Sequence, residues 1–153
     1  MLQVGKQAPA FNLESDSGTK ISLASLGGTR VVLYFYPKDN TPGCTQESCD
    51  FRDNLSRIKA LGAVVFGVSK DSVSSHKKFS EKFSLSFSLL SDPSHAMLEK
   101  YGVWKEKKLY GRSYMGVERT TVIIDEHGKI AQIFPKVKVK GHAESVIKVL
   151  QEM

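Results

Sequence analysis

Short apolar runs alternate with amphipathic segments along this chain of 153 residues. Apolar runs rich in β-branched and aromatic residues predict buried strands, and apolar residues spaced three or four positions apart predict helices. We predict strands at 31–36, 63–69, 86–90, 120–124 and 129–134, and a hairpin of 10–13 and 20–23 around a turn at 16–18. We predict helices over 45–61, from Asp71 or Ser72 to about Phe83, from Asp92 to Tyr101 and from about His142 onwards.

Strands that alternate with helices imply a sheet that carries helices on both faces. The last two predicted strands follow each other closely and add an antiparallel hairpin, so the sheet is expected to be mixed. We therefore predict one domain over residues 1–153, an α/β three-layer sandwich with a mixed central sheet and an added N-terminal β-hairpin. A chain of this length can bury a core without disulfide staples.

The net charge of +6 raises the question of a nucleic-acid partner. The basic residues are spread along the chain, with clusters only at 105–108 and 136–140, and the second cluster alternates Lys with Val as a half-exposed edge strand does. Basic residues interleaved with aromatic ones, typical of nucleic-acid binding, are missing. We expect a solvated basic surface and no nucleic-acid partner.

The apolar runs and the cysteines also indicate the cellular compartment of the protein. The first fifteen residues lack the apolar segment of a signal peptide, and no apolar run is long enough to cross a bilayer. Two cysteines five positions apart do not form a secreted disulfide framework. We expect a cytoplasmic protein without a membrane partner, in which the thiols do redox or catalytic work.

Cys44 is the most informative residue, because it lies between the predicted strand 31–36 and the predicted helix 45–61. Free backbone N–H groups and the positive end of the helix dipole favour a thiolate at such a place. Thr41, Pro42 and Gly43 form a backbone typical of an exposed loop, which favours a reactive thiol over the alternative, a small buried cysteine.

Thr41 stands where a thioredoxin-like protein carries the first cysteine of Cys-x-x-Cys. Its hydroxyl suits a small oxygen-containing substrate better than exchange of thiols between proteins. A thiol–disulfide exchange protein or holdase on the same fold remains the alternative.

The pattern Pro37-x-x-x-Thr41-x-x-Cys44 is the active-site signature of the peroxiredoxins, and residues 34–49 resemble the Q-type branch, also called bacterioferritin comigratory proteins. Further matching stretches lie at 102–104, 114–116, 119–121 and 137–143, although Lys105 stands where many members have Gly. This resemblance implies a thioredoxin-like fold. It also implies a peroxidase that reduces hydrogen peroxide and organic hydroperoxides without a cofactor.

The resemblance implies a role for each site residue. Cys44 would be the peroxidatic cysteine, Thr41 would hold the peroxide oxygen, and Pro37 would shield the thiolate. Arg119 would stabilise the thiolate and the developing charge, its alternative being a surface salt bridge. Cys49 would resolve the Cys44 sulfenic acid as an intramolecular disulfide, which thioredoxin or a similar dithiol would reduce, unless Cys49 is an inert buried thiol.

Glu47 lies one helical turn after Cys44. It could orient Arg119 or the loop, or it could be an acid favoured by the helix dipole alone.

A disulfide between Cys44 and Cys49 conflicts with an intact helix. Five helical steps separate Cα atoms by about 8–9 Å, whereas a disulfide tolerates at most about 7 Å. We therefore expect an intact helix from about Gly43 in the thiol form and an unwound segment over 43–50 in the disulfide form. Resolution within one chain needs no second subunit, so we expect a monomer.

The four histidines have no metal-ligand spacing with the cysteines, so no metal is expected. His142, near the start of the last helix, is expected to have a structural role.

Overall fold

The computed structural model describes residues 2–153 and, within them, nine strands, five α-helices and one short 3-10 helix at Ala24–Leu26. The strands are β1 (Asn12–Ser15), β2 (Lys20–Ser22), β3 (Arg30–Phe35), β4 (Ala63–Ser69), β5 (Ser88–Ser91), β6 (Trp104–Leu109), β7 (Arg112–Val117), β8 (Thr120–Ile124) and β9 (Ile130–Phe134). The helices are α1 (Pro42–Asp53), α2 (Leu55–Ala60), α3 (Val73–Phe83), α4 (Ala96–Lys100) and α5 (His142–Glu152). In this part of the chain no helix has the length and apolar character needed to span a bilayer.

Seven strands form one mixed sheet in the order β2-β1-β5-β4-β3-β8-β9. Strands β3, β4 and β5 run parallel, and β8 pairs antiparallel with β3. Helices α1, α2, α3 and α5 pack on one face and α4 on the other, each face with its own apolar cluster. This arrangement confirms the predicted thioredoxin-like three-layer sandwich, its mixed sheet and its N-terminal β1–β2 hairpin.

The predicted helix over 45–61 is two helices. Pro42 starts α1 earlier than predicted, because proline is favoured at a first helical position where no backbone N–H is needed. The helix stops at Asn54, which leaves helical geometry with ψ 7° and bonds the Asp50 carbonyl through its side-chain amide at 2.8 Å. Gly62, with φ 76°, ends α2 as predicted.

Two further expectations about strands were wrong. The β6–β7 hairpin was missed, because the charged sequence of β6 lacks an apolar face, and the two strands pair with each other outside the main sheet. The basic segment 136–140 is not an edge strand. β9 ends before Pro135, and Lys136 then takes a left-handed conformation with φ 48°, which no strand can continue.

Helix α1 is held against the sheet by Tyr34, whose ring is fully buried. The ring stacks on Phe51 at 4.8 Å between centroids, and the hydroxyl lies 2.8 Å from Ser48 Oγ. The ring has room because its cross-strand neighbour is Gly67. A Cβ at that position would lie 2.6 Å from the Tyr34 ring and hydroxyl and 2.8 Å from Leu89.

We expect Gly67→Ala to lower the free energy of unfolding by about 1–3 kcal/mol, because the methyl group would displace Tyr34 from its contacts with α1. Gly27→Ala is the matched control, since its Cβ would meet nothing closer than 3.7 Å and its φ of −55° suits alanine. Urea unfolding of both variants measures the difference, and equal midpoints would contradict this account of Tyr34.

Candidate active site

The candidate site lies where β3 ends and α1 begins. The chain leaves β3 at Phe35, crosses the loop 36–41 and enters α1 at Pro42, so Cys44 belongs to the first turn of the helix, as predicted. Thr41 precedes the helix in extended geometry, and its hydroxyl donates to the Lys38 carbonyl at 2.9 Å. Pro37 lies in the same loop and is partly buried.

Cys44 is buried, with 1% of its surface exposed, so the expectation of an exposed thiol was wrong. Pro42 and Gly43 are exposed, but the helical turn directs the next side chain inward, where it joins the apolar cluster beneath α1. The sulfur still has a polar partner, because Arg119 Nη2 donates to Cys44 Sγ at 3.3 Å. The site is thus a buried thiol beside a cation.

Arg119 comes from the two-residue link between β7 and β8, at the same edge of the sheet. Its Nη2 bonds the thiol, and its Nη1 donates to Glu47 Oε1 at 2.7 Å. The guanidinium passes close to Gly43, where an added Cβ would lie 3.2 Å from Nη2. Arg119 is therefore part of a buried cluster, and the alternative of a surface salt bridge does not describe it.

Glu47 is 1% exposed and faces Arg119 from the second turn of α1. Burial raises the pKa of Glu47 to about 7, although the Arg119 charge acts in the opposite direction. Its second oxygen, Oε2, has no hydrogen-bond partner among residues 2–153. An inward carboxyl of this kind fits the orientation of Arg119 better than the alternative of an acid favoured by the helix dipole alone.

Cys49 lies in the same unbroken helix and is half-buried, and both thiols are free. The expected thiol form, with α1 intact from its start, is the form described here. The helix keeps the two sulfurs on different parts of its surface, so a bond between them requires a change in α1.

His142 begins α5 and lies close to this cluster. Its Nε2 is 2.7 Å from the Thr121 hydroxyl, and Phe51 and Phe134 pack edge-on against the ring. Burial, and to a lesser extent Arg119, lower the pKa of His142 to about 4, so the ring is neutral. These contacts agree with the structural role expected for it.

Sequence reasoning missed the residues that hold the loop 36–41. Asp39, His76 and Asp71 bring their ligand-type atoms within 4.8 Å of one another. Hydrogen bonds already engage these atoms, since hydroxyls of Tyr36 and Ser75 donate to Asp39 and the Ser69 hydroxyl donates to Asp71. The group fits a hydrogen-bond network rather than a metal centre. One feature of the sequence could have indicated this network, namely the acidic residue Asp39 between Pro37 and Thr41.

Comparison with known proteins assigns the family. Residues 4–133 match the AhpC/TSA family. Peroxiredoxin Bcp of Bacillus subtilis is 46% identical over 152 residues, covering 99% of this chain and 97% of that protein. Peroxiredoxin Bcp of Escherichia coli is 41% identical over 151 residues, with 99% and 97% covered. This chain is a member of the peroxiredoxin family.

Solved peroxiredoxin structures share the whole fold. The bacterioferritin comigratory protein of Xanthomonas campestris, studied for its alkyl peroxide reduction activity, superposes with a TM-score of 0.92 at 40% identity, covering 98% of each chain. A PrxQ mutant from Xylella fastidiosa gives a TM-score of 0.94 at 35% identity, covering 99% of this chain and 97% of that one. These likenesses confirm the resemblance to Q-type peroxiredoxins seen in the sequence.

The raised pKa of Glu47 predicts a pH dependence of stability. The folded pKa of about 7 exceeds the value of about 4.3 in an unfolded chain, so the folded protein holds the proton more tightly. The stabilisation from this carboxyl is complete below about pH 4 and is lost as the pH rises to about 7. The free energy of unfolding of the wild type minus that of Glu47→Gln should fall by roughly 2–4 kcal/mol over this range.

Urea unfolding of both proteins across this pH range measures that difference. Glu144→Gln is the control, because Glu144 is exposed and the hydrogen bond from Arg57 lowers its pKa, so the corresponding difference should not fall as the pH rises. A flat profile for Glu47→Gln would show that Glu47 titrates as an ordinary carboxyl.

Proposed function

We propose that this peroxiredoxin reduces hydrogen peroxide and organic hydroperoxides through a Cys44 sulfenic acid and an intramolecular Cys44–Cys49 disulfide. The observation that supports this most directly is the guanidinium of Arg119, which lies 3.3 Å from the Cys44 sulfur at the start of α1. A hydrogen bond from a cation is stronger to a thiolate than to a neutral thiol, so the arrangement suits a nucleophilic sulfur.

In the first step the Cys44 thiolate attacks the terminal oxygen of the hydroperoxide. The sulfur–oxygen bond forms as the oxygen–oxygen bond breaks, the transferred oxygen keeps its hydrogen, and the leaving alkoxide or hydroxide takes up a proton. Sulfur is oxidised to sulfenic acid, and the peroxide is reduced to an alcohol or water. Arg119 stabilises the negative charge as it moves from sulfur to the leaving oxygen.

Thr41 and Pro37 shape the entrance to the sulfur. The Thr41 hydroxyl donates its proton to Lys38, which leaves oxygen lone pairs free to accept a hydrogen bond from the peroxide O–H. Pro37 has no N–H and a restricted backbone, so it stiffens the loop and helps to keep water from the thiolate. Glu47 acts through Arg119 as a positioning residue, because it holds the guanidinium by Nη1 while Nη2 contacts the thiol.

In the second step the Cys49 thiol attacks the Cys44 sulfenic acid, a disulfide forms and water leaves. The start of α1 has to unwind for this bond to close, which also exposes the disulfide. A thioredoxin-type dithiol then exchanges with it and restores both thiols. Because one chain holds both cysteines, the cycle supports a monomer, and its need for a reducing dithiol pool supports a cytoplasmic location.

A thiol–disulfide exchange protein or holdase is less well supported. With 1% of its surface exposed, Cys44 is shielded from a large partner such as a protein disulfide. Thr41 also stands where a Cys-x-x-Cys pair would have its first thiol.

Cys49→Ser should separate the two steps. We expect the reduced variant to consume about one equivalent of hydrogen peroxide and then stall as the sulfenic acid, because no partner thiol resolves it, or to consume more only as that sulfenic acid is oxidised further. Stopped-flow mixing followed by mass spectrometry measures consumption and the oxidation state of Cys44, and Cys44→Ser is the control that should not react. Steady turnover of Cys49→Ser with thioredoxin at the wild-type rate would show that Cys49 does not resolve.

Hydrogen exchange should detect the change in α1. Amides 45–49 donate within the helix in the thiol form, so we expect their protection to fall strongly in the disulfide form, while amides of β3 and β4 stay protected. Mass-spectrometric exchange on the reduced and peroxide-treated protein measures this. Equal protection of 45–49 in both forms would contradict the proposed unwinding.

A further inference from the structure

The loop that carries Pro37 and Thr41 is fastened at Asp39, which is 7% exposed. Tyr36 donates its hydroxyl to Asp39 Oδ1 at 2.6 Å, and Ser75 donates its hydroxyl to Oδ2 at 2.8 Å. His76 Nδ1 lies 2.7 Å from the same Oδ2. Burial raises the pKa of Tyr36 well above its ordinary value, so the phenol keeps its proton and remains a donor. The Asp39 carboxyl thus makes hydrogen bonds with three side chains, two of which are hydroxyl donors.

His76 is fully buried, and both of its ring nitrogens face acceptors. Nε2 lies 2.9 Å from the Leu90 carbonyl, which can only accept, and Nδ1 faces a carboxylate that already accepts two hydroxyl hydrogens. Nε2 therefore carries hydrogen and donates to Leu90, while Nδ1 and the Asp39 carboxyl form a buried hydrogen-bonded pair. This buried pair joins the loop to helix α3.

The backbone of Asp39 is fastened as well. Its N–H donates to Asp71 Oδ2 at 2.9 Å, and Asp71 is held in turn by the hydroxyl of Ser69 at the end of β4. The neighbouring Asn40 has φ 60°, a left-handed conformation that asparagine adopts more readily than other non-glycine residues, and its side-chain oxygen accepts from Lys82 of α3 at 3.2 Å. The loop geometry is thus imposed by β4 and α3 and not by the residues of the loop alone.

We propose that Asp39 and His76 are positioning residues for the peroxide reaction, an inference that rests on the proposed function. Thr41 lies two residues after Asp39, and its hydroxyl bonds the carbonyl of Lys38, the residue just before Asp39. A shift of Asp39 therefore moves the group that would accept the peroxide O–H, while the Cys44–Arg119 contact is left in place. Every contact of Asp39 described here comes from Tyr36, α3 or the segment after β4, so the loop keeps its shape when α1 unwinds.

The test compares two reactions of Cys44 in a Cys49→Ser background, where it is the only thiol. Oxidation by hydrogen peroxide needs the loop geometry, whereas alkylation by iodoacetamide needs only a reactive sulfur. Asp39→Asn and His76→Gln should each slow oxidation by about 10- to 100-fold, because small errors in alignment are costly, and should not slow alkylation. The double variant replaces the carboxyl–imidazole pair by a pair of amides that can still hydrogen bond, and it should oxidise faster than the product of the two single effects predicts.

Ser75→Ala gives a milder variant if the buried substitutions fail to fold. It removes one donor to Asp39 and should slow oxidation, whereas Ser74→Ala, an exposed neighbour on the same turn, should not. Ser80→Ala is the second control, since it removes a buried hydrogen bond of α3 to Leu85 that does not involve the loop.

The outcomes distinguish the proposed peroxidase function from the proposed positioning role of Asp39 and His76. Failure of the Cys49→Ser parent to react with peroxide would overturn the proposed function itself. A parent that reacts, with Asp39, His76 and Ser75 variants that either match it or lose both reactions equally, would overturn only the positioning role.

Discussion

One guanidinium connects the chemistry to the fold. Arg119 donates to the Cys44 sulfur and to the Glu47 carboxyl, and both partners are almost fully buried. Burial alone disfavours the charged form of either group, so an unpaired thiolate and carboxylate would not persist there. The cation allows two acidic groups to share a site beneath α1.

Helix α1 has two requirements that oppose each other. It must be well enough packed to place Cys44 against Arg119, and yet its first two turns must open for Cys49 to reach Cys44. Ser48 belongs to the segment 43–50, so unwinding of this segment has to break the hydrogen bond between Ser48 and Tyr34 as well as the helical hydrogen bonds. The C-terminal part of α1 can stay packed on the sheet, because Phe51 stacks on Tyr34. Local opening of a few turns, rather than of the domain, is the change this packing permits.

The layers of the fold and the position of Cys44 were predicted correctly from the sequence, because apolar β-branched runs and a Pro-Gly break are local signals. Contacts between residues far apart in the sequence could not be predicted from such local patterns. The Arg119–Cys44 contact spans 75 residues. The position of Arg119 before a predicted strand made it a possible thiolate partner, but the resemblance to peroxiredoxins was needed to favour it over a surface salt bridge. The burial of Cys44 was predicted wrongly, since exposed neighbours at 42 and 43 say nothing about the direction of the next side chain in a helical turn. Strand β6 was not predicted because its charged sequence has no alternation of apolar and polar residues.

The buried polar groups around the loop 36–41 are better explained by function than by stability. A buried polar pair such as Asp39–His76 recovers little more than the cost of removing its groups from water, and apolar side chains of similar size would serve the core at least as well. What the pair adds, with its hydroxyl and backbone hydrogen bonds, is a single geometry. The polar cluster of Arg119 lies on the thiol side of the loop and the cluster of Asp39 on the α3 side. A loop fixed on both sides can hold a peroxide in one orientation while the helix beside it folds and unfolds.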